Sequence, residues 1–104
     1  MLTYAALNNL NVWATDIKSA YLQAPTSKKH FIQCGPEFGP EREGTIAVIV
    51  RALYSGKSAG ADYWKHMRAC MTNLGFSSCQ GDQDVWRRPQ SHPCGTPFFE
   101  YCCL

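Results

Sequence analysis

Asp16 stands at the end of a short apolar run, in Ala14-Thr15-Asp16-Ile17-Lys18-Ser19-Ala20-Tyr21-Leu22, with an aromatic ring, Tyr21, five residues on. A carboxylate is a hard oxygen donor of the kind that magnesium prefers, and an aromatic at that distance offers a flat apolar face beside it. Phosphoryl transfer by two metal ions needs more than one such acid. Read without any wider context, the same residues have a second role open to them. Thr15 or Asp16 could cap a short helix running from Ile17 to Leu22, a side-chain oxygen accepting an N–H of the first turn. Tyr21 could equally be a half-buried ring with its hydroxyl hydrogen-bonded, and Lys57, on a glycine-flanked turn, a solvated surface charge.

The cysteines are the other residues with chemistry to offer. They lie at 34, 70, 79, 94, 102 and 103. An even number suggests disulfides in an exported chain, but the N-terminus lacks the basic flank, apolar stretch and small-residue cleavage site of an export signal. His92, Cys94, Cys102 and Cys103 fall within a short span, as zinc ligands do. No C-x-x-C pair exists, however, and adjacent cysteines on a strand point to opposite faces. Reduced, partly buried thiols acting as small apolar residues are the expected state, in an intracellular protein.

A chain of 104 residues is expected to form one domain or part of one, with a modest core. Its longest apolar run, Ile46 to Val50, is cut short by Arg51, so no membrane partner is expected. A formal charge of +2 does not by itself imply nucleic acid; only Lys28-Lys29 and Arg87-Arg88 are local basic pairs.

The elements that must position these residues follow from periodicity. Met1 to Leu10 has helical spacing, with Asn8-Asn9 as a stop. Val12 to Ala14 reads as a short strand leading into Asp16, and His30 to Cys34 as another, closed by Gly35-Pro36. A loop is expected over Pro36 to Gly44. Thr45 to Leu53 is a β-branched run, expected as a strand covered on both faces. Trp64, Met67, Met71 and Leu74 form one apolar stripe of a helix that Ser58 could cap and Gly75 could end, with Phe76 folding back on its last turn. Asp84 to Arg88 and Phe98 to Leu104 are further strands, Asp82 and Asp84 serving turn formation and strand entry. The order predicts an α+β fold with a small mixed or antiparallel sheet packed on helices.

Taken together, these strings resemble the reverse transcriptase domain of copia-type retrotransposons. Asp16 to Leu22 is similar to the family's Asp-(Val or Ile)-Lys-x-Ala-(Phe or Tyr)-Leu, and Phe31 to Gly39 to its Pro-x-Gly-Phe region in a Pro-Glu-Phe-Gly variant. Arg51 to Trp64 is similar to Ala-Leu-Tyr-Gly-Leu-Lys-Gln-(Ala or Ser)-Pro-Arg-x-Trp. Leu74-Gly75-Phe76 with Asp82, Asp84, Val85 and Trp86 resembles the family's Leu-Gly-Phe followed by its Asp-x-x-(Val or Leu)-(Phe or Trp). Each block alone is short; the four stand in order over nearly the whole chain.

The resemblance implies a polymerase palm with part of the fingers, and RNA-directed DNA polymerisation helped by two Mg2+ ions on a template-primer and deoxynucleoside triphosphates. It implies that Asp16 is a metal-binding carboxylate, with the Ile17 carbonyl a further ligand. Tyr21 becomes the ring under the sugar that disfavours a 2′-hydroxyl, and Lys57 a contact to nucleotide or template. Three positions depart from the family pattern: Ser55 stands for a glycine, Gly60 for a proline and Asp62 for a basic residue. Serine would be strained if that turn requires a positive φ. The basic fingers segment and the paired aspartates that follow the last strand in the family are expected to be missing, leaving one acid where catalysis needs three. The parent activity is therefore not expected of this chain alone, and a noncatalytic remnant binding nucleic acid or protein is the alternative.

Overall fold

A computed structural model describes residues 1–104, which divide into two compact units. Met1–Ile17 and Ala69–Leu104 form the first, Lys18–Arg68 the second. The α+β character expected from the sequence is present, but as two antiparallel sheets rather than one.

In the first unit, helix α1 (Leu2–Leu7) ends at Asn8, whose side-chain amide donates to the Tyr4 carbonyl at 2.8 Å. Asn9 then takes a left-handed φ of 52°, a conformation that asparagine tolerates better than most residues. The strand expected over Val12 to Ala14 does not form. Trp13 is 93% exposed, and so short a run offers too few ladder hydrogen bonds to hold without a partner strand.

The three-stranded sheet of this unit has the order β3–β4–β5, with β3 at Ser77–Ser78, β4 at Val85–Ser91 and β5 at Pro97–Cys103. Trp86 lies in the middle strand between Ser78 and Cys102 and is buried. Pro89 sits inside β4 opposite Phe99. It is tolerated because β3 pairs only with Trp86 and Arg87, so beyond them β4 has an open edge that needs no N–H. The turn before β4 is an Asx turn, the Asp84 amide donating to Asp82 Oδ1 at 3.0 Å, in line with the turn role expected of these two acids.

In the second unit, the helix expected over Ile17 to Leu22 is a single turn, α2 (Ala20–Gln23). It starts later than expected, and neither Thr15 nor Asp16 caps it; the cap position is Ser19, left-handed at φ 52° and without a side-chain cap. Pro25 stops the helix by holding Ala24 extended at φ −87°, ψ 140°. Strand β1 (Pro25–Gln33) begins at that proline and pairs antiparallel with β2 (Ile46–Arg51), with an irregularity between Pro25 and His30. A 3-10 turn at Pro36–Phe38 joins them.

Strand β2 is not covered on both faces. Ala47 and Ile49 are half-buried, while Ile46 (66%), Val48 (52%) and Val50 (68%) stand exposed. In a two-stranded sheet only one face finds a neighbour, so the β-branched run reports strand propensity and not double burial. The core of the unit is built of small residues: Ala24, Ala52 and Ala59, with Tyr21 and Tyr63 packed against them. The Ala52 amide donates to the Ala24 carbonyl at 3.0 Å.

Helix α3 (Ala59–Asn73) begins in the second unit and ends in the first. Its inward face keeps part of the expected stripe, with Met71 buried and Met67 half-buried. Ala59, Tyr63 and Met71 turn inward, while Trp64 (42%) and Leu74 (59%) are exposed. Trp64 is instead covered by the Arg68 guanidinium, 4.5 Å from its ring centre one turn along. The end of the helix matches expectation. Gly75 has φ 84°, its amide donates to Thr72, and the Phe76 amide folds back to Met71, both at 3.0 Å. Arg88 of β4 completes this end, donating to the Leu74 carbonyl at 3.0 Å and to Glu100 at 2.6 Å while lying over the Phe76 ring.

Candidate functional site

Tyr21 is placed by the α2 turn so that its ring lies flat on Tyr54, with centroids 4.8 Å apart and planes 18° from parallel. Tyr63 of α3 also meets the Tyr21 ring, tilted, with centroids 5.5 Å apart. The stack brings an aromatic of the first motif block onto one of the third. Gly60 lies alongside: a Cβ there would stand 3.8 Å from the Tyr21 hydroxyl, which is ordinary contact. The departure from proline at this position therefore creates no hole that only glycine fits.

Lys57 is exposed on the turn that follows Tyr54, and it lines a cavity of about 860 Å3. Lys28 and His30 of β1 and Arg51 of β2 line the same cavity, against walls that include Phe31, Ile49 and Leu53. No acid contributes to the lining. Arg51 is anchored by Nη1, which donates to the Gln23 carbonyl at 3.1 Å. Asp62, in the first turn of α3, accepts from the Ser27 amide at 3.0 Å. Hydrogen bonds from the Ser27 side chain and backbone hold its carboxyl below the usual aspartate value. This acid ties β1 to α3, a structural role that the sequence pattern did not suggest. Ser55 carries no positive φ, so the strain considered for serine at that turn is absent.

Asp16 and Ile17 belong to the first unit, Tyr21 and Lys57 to the second. Asp16 is exposed on a stretch without regular structure, not at the end of a strand. Nowhere does the chain gather three or more His, Cys, Asp or Glu side chains able to hold a metal ion. That holds for the acids around Asp16 and for His92, Cys94, Cys102 and Cys103 alike. All six cysteines are free thiols. Comparison with protein-family models, curated proteins and solved structures gives no match to this chain. No helix is long and apolar enough to cross a membrane.

The first unit has its own smaller hollow of about 520 Å3, lined by Tyr4, Asn9, His92, Phe99 and Tyr101 among others. Tyr4 and Tyr101 meet edge to face there with hydroxyls 3.5 Å apart, and this contact raises the Tyr101 pKa above the ordinary phenol value. In the hairpin turn between β4 and β5, Cys94 is exposed and shares a 3.3 Å hydrogen bond with Thr96 Oγ1. Thr96 lowers the thiol pKa, through its side chain first and its backbone second, whereas burial raises that of Cys102.

The cationic lining was missed in the sequence because its members are spread from Lys28 to Lys57. No strand period marks them, because β1 is irregular between Pro25 and His30.

Proposed function

We propose that this chain carries the palm core, with part of the fingers, of a reverse transcriptase of the copia retrotransposon type. The parent activity is RNA-directed DNA polymerisation by nucleotidyl transfer onto a primed template. Four motif blocks in order support the reading, and the observation that carries it is the Tyr21–Tyr54 stack, in which rings from the first and third blocks meet. A rigid aromatic pair of this kind suits Tyr21 to lie under a deoxyribose and exclude a 2′-hydroxyl. Lys57, beside it in the third block, supplies a cation to a phosphate of nucleotide or template.

Asp16 is the candidate metal carboxylate and Ile17 the candidate carbonyl ligand. The donor set does not fit a two-metal centre in this chain, because no further acids gather into a metal-holding group. The Mg2+ ions belong to the complete parent enzyme, and no catalytic step is assigned to them here. Without that centre the charge developing on the transferred phosphoryl group is not neutralised, and such electrostatic stabilisation is usually the largest catalytic contribution.

Purified chain given primer-template, deoxynucleotides and magnesium is expected to extend nothing above background. Robust extension abolished by Asp16→Asn would overturn the judgement on activity. A noncatalytic remnant that binds nucleic acid or protein is the second reading, favoured by the same isolation of Asp16. Retention of labelled primer-template by the chain, without extension, is the outcome expected of it.

A further inference from the structure

We propose that the cavity lined by β1, β2 and the Leu53–Ala59 turn binds an oxyanion joined to an apolar body, the class of aryl or alkyl phosphate monoesters. Lys28 and His30 of β1, Arg51 of β2 and Lys57 of the turn all line it. With no carboxylate in the lining, the positive potential of Lys28, Arg51 and Lys57 is not cancelled locally, and a concave apolar wall focuses it. The acid at the start of α3, Asp62, is engaged by the Ser27 amide and is not part of the lining. Arg51 is held in place by its Nη1 bond to Gln23, which leaves Nε and Nη2 as a planar pair of donors suited to two oxygens of one phosphate.

The remaining wall is apolar: Phe31, Ile49, Leu53 and Ala59. A bare inorganic anion would leave these side chains in water, and a neutral hydrocarbon would leave the cations without a partner. A ligand carrying both parts satisfies both, and the volume of about 860 Å3 accommodates it. Of the residues given a role in the polymerase reading only Lys57 lines the cavity, Asp16 and Tyr21 do not, and the test therefore turns on Lys28 and Arg51.

The test titrates the isotope-labelled full chain with phenyl phosphate, inorganic phosphate and phenol at one ionic strength, following backbone amide signals. Phenyl phosphate is expected to shift amides over 26–31 and 49–59 saturably, with the other two binding at least about tenfold more weakly. Lys28→Gln removes a charge whose side chain makes no hydrogen bond in the fold, and is expected to weaken phenyl phosphate about tenfold with the spectrum otherwise unchanged. Arg51→Gln is expected to weaken it further. Equal response to inorganic phosphate, shifts centred on Arg87 and Arg88, or undiminished binding by Lys28→Gln would each overturn the proposal.

Discussion

Tyr21 lies flat on Tyr54, 4.8 Å between ring centroids, and joins the single turn of α2 to the loop that precedes α3. The core beside it is only Ala24, Ala52 and Ala59, so the ring stack supplies much of the apolar contact that this unit has. Tyr21→Leu is expected to cost about 2 kcal/mol, since it loses stacking and burial together, and Tyr54→Leu about 1 kcal/mol. Tyr21→Phe keeps the ring and is expected to cost less than either. Urea denaturation of the three variants measures the order.

Two glycines separate backbone strain from space. Gly75 at φ 84° has room for a Cβ, 3.6 Å from Arg88 Cδ, but an alanine there must hold a left-handed conformation. Gly75→Ala is expected to destabilise by about 1 kcal/mol. Gly60 lies in the first turn of α3 with an unstrained φ, and its Cβ would meet only the Tyr21 hydroxyl at 3.8 Å. Gly60→Ala is expected to stabilise by about 0.5 kcal/mol. Thermal melts of the two proteins should move in opposite directions.

The helix end at Gly75 and the strands from Val85 onward were legible because their signals are local: a glycine after a periodic run, and alternation bounded by turns. Met67 and Met71 of α3 turn inward as the apolar spacing implied, but the exposure of Trp64 and Leu74 was not legible. Tyr63 meets Tyr21 and Arg68 covers Trp64, and neither contact leaves a trace in the apolar spacing. The strand at Val12 to Ala14 failed for a similar reason, since an apolar run says nothing about whether a partner strand lies within reach. Of the candidate site, Tyr21 and Lys57 were found through motif strings. Lys28, His30 and Arg51 were not, because only the β1–β2 pairing brings them to one cavity.

Asp62 gives the fold a pH dependence of known sign. Its folded pKa is depressed by Ser27, so its contribution is fully present above the ordinary aspartate value of 3.8. That contribution is lost as pH falls through the lower folded value. Asp62→Asn is expected to flatten the acid limb of the stability profile in this range and to leave the slope near neutrality unchanged. Denaturation midpoints collected from pH 7 down to about pH 2 provide the comparison.

Thiol reactivity should follow exposure and pKa. Cys94 is exposed with its pKa lowered by Thr96, Cys102 has its pKa raised by burial, and Cys34 is buried. Under brief iodoacetamide treatment of the native protein, peptide mass mapping should find Cys94 alkylated first, and Cys34 only after unfolding. Thr96→Val is expected to slow Cys94 without changing the rest.

The most direct measurement on the central claim uses a chimaera. Residues 16–76 of this chain replace the matching segment of a complete copia-type reverse transcriptase, which supplies the remaining acids, and primer extension is followed with deoxy- and ribonucleotides. Magnesium-dependent DNA synthesis is expected, abolished by Asp16→Asn, with Tyr21→Val admitting ribonucleotides far more readily than the parent chimaera. A folded, template-binding chimaera that synthesises nothing, or one whose sugar selection ignores Tyr21, would contradict the reading of this chain as a polymerase palm.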